Sequence, residues 1–427
     1  SIGNNAFYGC TGLTTLIFNT GLTSIGNNAF QNCTGLEAVE FNEGLTSIGG
    51  YAFYGCTGLT ELTMNAELTT IGEYAFYDLQ KLETVNFNEK LETIGAAAFS
   101  GCTRLTGDLV IPESVTSIGN SAFSGCTGLD GKLTIEGNAE STTIGSSAFY
   151  DCNKITALEL GDGITSIGNS AFYNCYGIKG DLIIPDTVTG LGQSAFYNCY
   201  GFDGTLKLSE NLTTIPSYAF YNCNNITGEL VIPDNVARIG SYEVFGNCNK
   251  ITSIVFGEGL TSVYSDSFYG CTAVKEVTFK GLNVPNGYFM SCLNTSLETV
   301  YVPAEKYSEY VTAFASYVGN AKIQIAGSDE DFTVTDGVLL LYSGAGGSVT
   351  IPAGVEKIGQ SAFQNCTTIT SVTFNEELVS IDTYAFSGCT NLEEIKFNEG
   401  LSSIGNNAFY GCTGLTTLIF NTGLTSI

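Results

Sequence analysis

The sequence predicts an α/β solenoid, a right-handed superhelix of short stacked coils that share one parallel β-sheet. One observation is that cysteine recurs along most of the 427-residue chain at intervals of 23 to 26 residues, as from Cys33 to Cys56 and from Cys126 to Cys152. A second is that the same apolar pattern accompanies each cysteine. Because a unit this short cannot bury its apolar side chains alone, successive units must stack and cover one another.

Each unit opens with a short strand, illustrated by residues 36–41. Val39 and Phe41 alternate with outward-facing residues such as Glu40, which is the period of two expected of a pleated strand. The later segment 48–53, Ile-Gly-x-x-Ala-Phe, predicts a bend eased by glycine and then one short helical turn. Stacking such units places the strands side by side in one parallel sheet, with turns and short helical segments opposite.

The repeat fails between Cys292 and Cys366. Residues 304–318 have the spacing of an amphipathic helix, and residues 332–344 read as a β-hairpin with Asp336-Gly337 as its turn. We therefore predict two arrays. Residues 1–327 form the first, closed by a C-terminal capping helix at about 304–318, and residues 328–427 form a second array opened by the hairpin. The alternative is a single solenoid with an inserted cap-like block.

The two ends of the chain are related. Residues 1–25 are identical to residues 403–427, and both ends fall inside a coil. We expect the second array to be truncated, as in a window cut from a longer repeat. Uncapped coil faces also favour head-to-tail contacts between copies of the chain.

Composition excludes several classes of function. There are 15 Lys and Arg against 42 Asp and Glu, so the net charge of −27 repels nucleic acids and anionic membranes. Histidine is absent, which excludes Ser-His-Asp catalysis and histidine-based metal sites. No apolar run of about 18 residues would span a membrane. Composition does not exclude a carboxylate pair for glycoside hydrolysis, but no sequence feature selects such a pair. The sequence therefore predicts a non-enzymatic protein with no catalytic residue, no metal site and no cofactor.

The cysteine column has three interpretations, namely disulfides, metal ligation and buried free thiols. Neighbouring cysteines would lie about 5 Å apart, within disulfide range. However, the fifteen side chains would all point inward in parallel, and Leu79 replaces one of them without disturbing the repeat. Closely spaced pairs typical of zinc sites are missing. The pattern favours free thiols that act as small apolar side chains.

Two outward-facing sets of residues are candidates for ligand binding. One is the outward column of the sheet, which becomes concave when a repeat array curves, although its β-branched residues also suit a strand as such. The other is a pair of Tyr-Asn-Cys-Tyr tracts, whose tyrosines could instead pack on neighbouring coils. The candidate residues are Glu40, Thr63, Asn86, Thr134, Glu159, Ile183, Lys207 and Val231 on the sheet, and Tyr173, Tyr176, Tyr197 and Tyr200 in the tracts.

This repeat resembles the BspA-like leucine-rich repeat family of bacterial surface proteins. The similarity covers nearly the whole chain, and one copy of the motif consists of Leu230-Val-Ile232-Pro233, Val236, Ile239, Phe245 and Cys248. The resemblance implies an extracellular or cell-surface solenoid that binds a protein or glycan ligand, as in adhesion. The alternative is a structural spacer that holds another domain away from the cell surface.

Overall fold

The computed structural model describes residues 1–139, 141–293, 295–303, 306–326, 331–420 and 423–424. The chain divides into two compact units. The first comprises Ser1–Val300 with Ser308–Lys322, and the second comprises Tyr301–Tyr307 with Ile323–Ile427. Each unit is a stack of β-coils, which confirms the leucine-rich solenoid. The predicted boundary between residues 327 and 328 lies outside the described residues and stays a prediction.

Each coil contributes two parallel strands, where the sequence predicted one, so two ladders run along the stack. The first ladder carries the predicted outward column. Its strands are Thr15–Ile17, Ala38–Glu40, Glu61–Thr63, Thr84–Asn86, Leu109–Ile111, Lys132–Ile135, Ala157–Leu160, Leu182–Ile183, Leu206–Lys207, Thr227–Ile232, Lys250–Phe256 and Glu276–Phe279. Two further strands, Thr299–Val302 and Lys322–Ile325, flank the helix Tyr307–Phe314.

The second ladder is formed by short strands that each end on an Ile, Leu or Val, and all of these residues are buried except Leu191, which is half-buried. Its first eight strands form one continuous sheet and its last three another. The strands are Ser24–Ile25, Ser47–Ile48, Thr70–Ile71, Thr93–Ile94, Ser117–Ile118, Thr142–Ile144, Ile164–Ile167, Gly190–Leu191, Thr214–Ile215, Arg238–Ile239 and Ser262–Val263. The description of a single parallel sheet is thus corrected to two ladders.

The predicted short helical turn after the second ladder is a hydrogen-bonded turn. Ser147, for example, has φ of 55°, in the left-handed region. A residue in that conformation reverses the chain direction and cannot continue a right-handed helix. Almost all of the described chain is therefore strand or turn. The helices found in the described residues are a 3₁₀-helix, Tyr288–Cys292, and the α-helix Tyr307–Phe314.

Phenylalanine and cysteine columns fill the interior between the two ladders. Successive phenylalanine rings stack, as between Phe53 and Phe76, whose centroids are 5.3 Å apart. Leu79 is fully buried, like Cys56 and Cys102 on either side of it. Each coil therefore completes the core of its neighbour, as the repeat spacing predicts.

The α-helix is shorter than the predicted residues 304–318, of which 304 and 305 lie outside the described residues. It ends at Phe314 because the next turn tightens, with the Tyr317 N–H donating to the Phe314 carbonyl at 2.8 Å. Phe314 is buried, with its ring 5.1 Å from that of Phe279. The Tyr310 hydroxyl donates to the Gly281 carbonyl at 2.9 Å. The helix thus covers core residues of the first unit, and its role as a cap stays a prediction.

The second unit contains an antiparallel hairpin, Phe332–Thr335 and Val338–Tyr342, which precedes its regular coils. Its turn uses Asp336 and Gly337, both with positive φ, as the sequence suggested. Phe363 and Phe386, whose centroids are 4.5 Å apart, continue an aromatic core beyond the hairpin. The remaining strands are Gly347–Thr350, Lys357–Ile358, Ile369–Thr373, Ser380–Ile381, Glu394–Lys396, Ser403–Ile404 and Thr417–Ile419.

Candidate functional site

The outward column of the first ladder is assembled from residues that pair across neighbouring strands. Ile183 lies opposite Lys207, and Val231 lies opposite Val255. The same register brings together the other predicted positions. These pairs are Ile17 with Glu40, Thr63 with Asn86, and Thr134 with Glu159. All eight predicted positions are exposed except Thr134, which is half-buried.

This column mixes apolar and charged side chains. Ile183 and Val231 are 53% and 40% exposed, and the Lys207 Nζ between them lies 3.2 Å from an oxygen of Asp186. Glu159 forms an ion pair with Lys132. Both ion pairs are largely exposed and contribute little to stability. The charged groups are therefore available to a partner at small cost to the fold.

The four predicted tyrosines form two stacked pairs in the turns that follow the second ladder. The ring centroids of Tyr173 and Tyr197 are 4.6 Å apart, and those of Tyr176 and Tyr200 are 5.1 Å apart. Tyr173 and Tyr197 are half-buried, whereas Tyr176 and Tyr200 are more exposed. Burial raises the pKa of the Tyr197 hydroxyl. The ring faces within each pair contact each other, so packing on neighbouring coils explains much of this column.

All fifteen cysteines are free, and eleven of them are buried. The Cys56 thiol donates to the Phe30 carbonyl of the preceding coil, with 3.1 Å between sulfur and oxygen. Burial raises the pKa of Cys56 and of Cys102 to about 12. At neutral pH these groups are protonated thiols, which are poor nucleophiles and poor metal ligands. Among the described residues, no group of three or more Cys, Asp or Glu side chains is placed to hold a metal ion.

These pKa shifts predict the pattern of thiol labelling. At pH 8 we expect the four partly exposed cysteines, Cys10, Cys292, Cys366 and Cys412, to react with a chromogenic disulfide reagent. The buried cysteines should react only on unfolding, since a raised pKa leaves almost no thiolate at pH 8. Mass spectrometry of labelled peptides measures the order, and rapid labelling of most sites would contradict it.

The structure also shows concave features that the sequence reasoning missed. A groove of about 400 Å³ lies on the first ladder between Ala38–Glu40 and Glu61–Thr63. A cavity of about 560 Å³ beside the second ladder is lined by Arg238, Tyr264 and Tyr288. The sequence carried a signal for this cavity, because Arg238, Tyr264 and Tyr288 differ in type from the residues that occupy the same repeat positions in most other coils.

Within the described part of the chain, we find no helix with the length and apolar character needed to cross a bilayer.

Comparison with known proteins shows the family and the fold. A leucine-rich repeat protein from Bacteroides ovatus is 24% identical, aligns over 95% of this chain and 88% of its own, and has a TM-score of 0.50. A leucine-rich cell surface protein from Faecalibacterium prausnitzii is 25% identical over 65% of this chain and 82% of its own, with a TM-score of 0.39. No curated protein matches the sequence significantly.

The sequence profile of the BspA type leucine-rich repeat region matches nearly the whole chain. The matched residues are 1–130, 106–227, 200–320 and 342–427. These segments include the coils of both units, with their paired strands and their phenylalanine and cysteine columns. The chain therefore belongs to the BspA type leucine-rich repeat family.

Proposed function

We propose that the protein is a non-enzymatic, extracellular binding or adhesion protein that uses the exposed face of the first ladder to contact a host or matrix protein or a glycan. The observation that carries the proposal is the outward column, in which exposed charged and apolar side chains alternate over Glu159, Ile183, Lys207 and Val231. Many weak contacts along such a column sum to useful avidity.

The apolar members of the column are not required by the fold. Equivalent positions on other coils hold Glu40, Thr63 and Asn86, which are polar and also exposed. Ile183 at 53% exposure therefore contributes little to the core. The fold tolerates polar side chains at this position, yet Ile183 and Val231 expose apolar side chains to solvent. Such side chains are reasonable contact points for a partner.

The net charge of the chain restricts the charge that its partner can carry. The net charge of −27 disfavours anionic polymers in general and favours a neutral or basic protein surface or a glycan. Family membership supports a location at the bacterial cell surface. Burial of most thiols is compatible with an oxidising exterior, because protonated and inaccessible thiols resist disulfide exchange.

A binding assay with one matched pair of variants tests the proposal. The purified chain is applied to immobilised host-matrix proteins and to an array of neutral and acidic glycans. We expect saturable binding to at least one of them and roughly tenfold weaker binding for Val231→Glu. Val379→Glu is the control, because Val379 is also exposed, at 47%, and lies in the second unit. Equal losses in both variants, or no saturable binding, would count against the proposal.

The alternative is a structural spacer, which the identity of residues 1–25 with residues 403–427 favours because it shows that coils are interchangeable. A spacer predicts no saturable ligand. It also predicts that removing one repeat, residues 56–78, leaves function unchanged, since the deletion shortens the stack by one coil and keeps the repeat register. A ligand lost with this deletion would favour the binding protein instead.

A further inference from the structure

The outward position of the second ladder is a column of small side chains that Arg238 interrupts. Its register places Arg238 between Thr214 and Ser262. The other coils of the first unit place hydroxyl groups or glycine there, and these residues are Ser24, Ser47, Thr70, Thr93, Ser117, Thr143, Ser166 and Gly190. In the second unit, Lys357 holds the equivalent position and forms an ion pair with Asp382. Arg238 is exposed, so the core does not require a long side chain at this position.

The two coils after Arg238 also depart from the repeat. Most coils place glycine directly after the second-ladder strand, and a Cβ atom at Gly240 would lie 2.6 Å from the Ser217 amide nitrogen of the preceding coil. The next two coils have Tyr264 and Pro285 at this position. These two residues therefore carry side chains at a position that is glycine in most other coils, and Tyr264 lines a concave space.

A third departure from the repeat lies in the same region. Most coils bury an alanine just before the core phenylalanine, as at Ala219, whereas the corresponding residue before Phe289 is Tyr288. Tyr288 begins the 3₁₀-helix Tyr288–Cys292, and its side chain is turned outward with 61% exposure. Its ring contacts that of Tyr317 at a centroid distance of 5.1 Å, which restricts its position.

Arg238, Tyr264 and Tyr288, which all depart from the repeat, line one cavity of about 560 Å³, which we call the Arg238 cavity. Ser262, Ser265 and Asn286 add hydrogen-bonding groups to Arg238, Tyr264 and Tyr288. Among the described residues, no ion pair includes Arg238. The neighbouring carboxylate of Asp266 accepts a hydrogen bond from the Ser265 hydroxyl at 2.7 Å. Within the described part of this strongly acidic chain, the Arg238 guanidinium thus has no carboxylate within ion-pair distance.

These groups suit a ligand with a carboxylate, an aliphatic ring face and several hydroxyls. A guanidinium binds a carboxylate through two parallel hydrogen bonds. Exposed tyrosine rings offer apolar faces with a polar tip, and Ser and Asn side chains both donate and accept hydrogen bonds. The volume lies within the range of small-molecule sites.

We propose that the Arg238 cavity binds a carboxylated sugar ring, either a uronic acid or a sialic acid, within a glycan. A peptide carboxylate would present the same charge. However, the only apolar aliphatic residue that lines the described cavity is Val263, which is itself buried, so no pocket for an apolar peptide side chain is formed. This site does not depend on the proposed role of the first-ladder face, because Arg238 lies on the second ladder.

Ligand-observed NMR titration of the full chain tests this inference with three glycosides and one peptide. The probes are methyl β-D-glucuronide, the methyl glycoside of N-acetylneuraminic acid, neutral methyl β-D-glucoside, and an acetylated dialanine with a free carboxylate. We expect one acidic glycoside to bind at least about tenfold more tightly than the glucoside and the peptide. The identity of that glycoside distinguishes a uronic acid from a sialic acid.

Two variants and a matched control complete the test. Arg238→Ala should weaken binding of the acidic glycoside by about tenfold or more, and Tyr288→Ala should weaken binding of the same probe by a smaller factor. Arg104→Ala is the control, because Arg104 is the only other arginine in the chain and is also exposed. Equal binding of acidic and neutral glycosides, equal or tighter binding of the peptide, or unchanged affinity in Arg238→Ala would each overturn the proposal. Any of these results would leave the first-ladder proposal unaffected.

Discussion

Phe149→Ala should lower the free energy of unfolding of the first unit by about 3–5 kcal/mol. The Phe149 side chain is fully buried, and its ring stacks between those of Phe123 and Phe172 at centroid distances of 5.3 and 5.4 Å. Truncation removes apolar contacts with both neighbouring coils and leaves a cavity between them. Because each coil contacts only its neighbours, a break here also weakens the coupling between the coils on either side.

Chemical denaturation followed by circular dichroism and tyrosine fluorescence measures this effect. The matched control is Phe7→Ala, which changes the same repeat position in the first coil. Phe7 is 43% exposed and stacks on one described neighbour, Phe30, so we expect a loss of about 1 kcal/mol. If Phe149→Ala splits the unfolding into two transitions, the weakened coupling between coils is observed directly. Equal losses for the two variants would contradict the stacked core.

The repeat spacing was sufficient to predict the interior columns. Replacement of a cysteine by Leu79 without a change of spacing showed that this position needs a buried apolar group and not sulfur chemistry. Alternation around Val39 likewise showed that Glu40 faces outward, and the strand register places Glu40 opposite Ile17. Such predictions succeed because the period of two and the fixed repeat length together determine both the face and the neighbour of each residue.

The second ladder could not be predicted from a pattern of that kind. A strand as short as Ser47–Ile48 has too few residues to show alternation, and its identity depends on hydrogen bonds to the coils on both sides. The Arg238 cavity was missed for a related reason. The sequence shows that Tyr264 stands at a position that is glycine in most other coils. Whether this substitution forms a cavity depends on how closely neighbouring coils approach there, which the sequence does not give.

That close approach gives the second large prediction, for Gly95→Ala. A Cβ atom at Gly95 would lie 2.4 Å from the carbonyl carbon of Gly72 and 2.5 Å from the amide nitrogen of Glu73. Both are backbone atoms of the preceding coil, so rotation of a side chain cannot relieve the clash. We expect the free energy of unfolding to fall by about 3 kcal/mol, because the coils must separate to admit one methyl group.

Gly3→Ala is the matched control, since Gly3 occupies the same repeat position but has nothing within 4 Å of an added Cβ atom. Its effect on unfolding should be within about 0.5 kcal/mol. Hydrogen exchange locates the damage, because the Gly95 N–H donates to the Ile71 carbonyl at 2.8 Å and should lose protection if the two coils separate. If the amide of residue 95 stayed fully protected from hydrogen exchange in Gly95→Ala, and the free energy of unfolding were unchanged, the coils would be able to admit the methyl group at no cost. The stack would then not be held by backbone contact at its glycines.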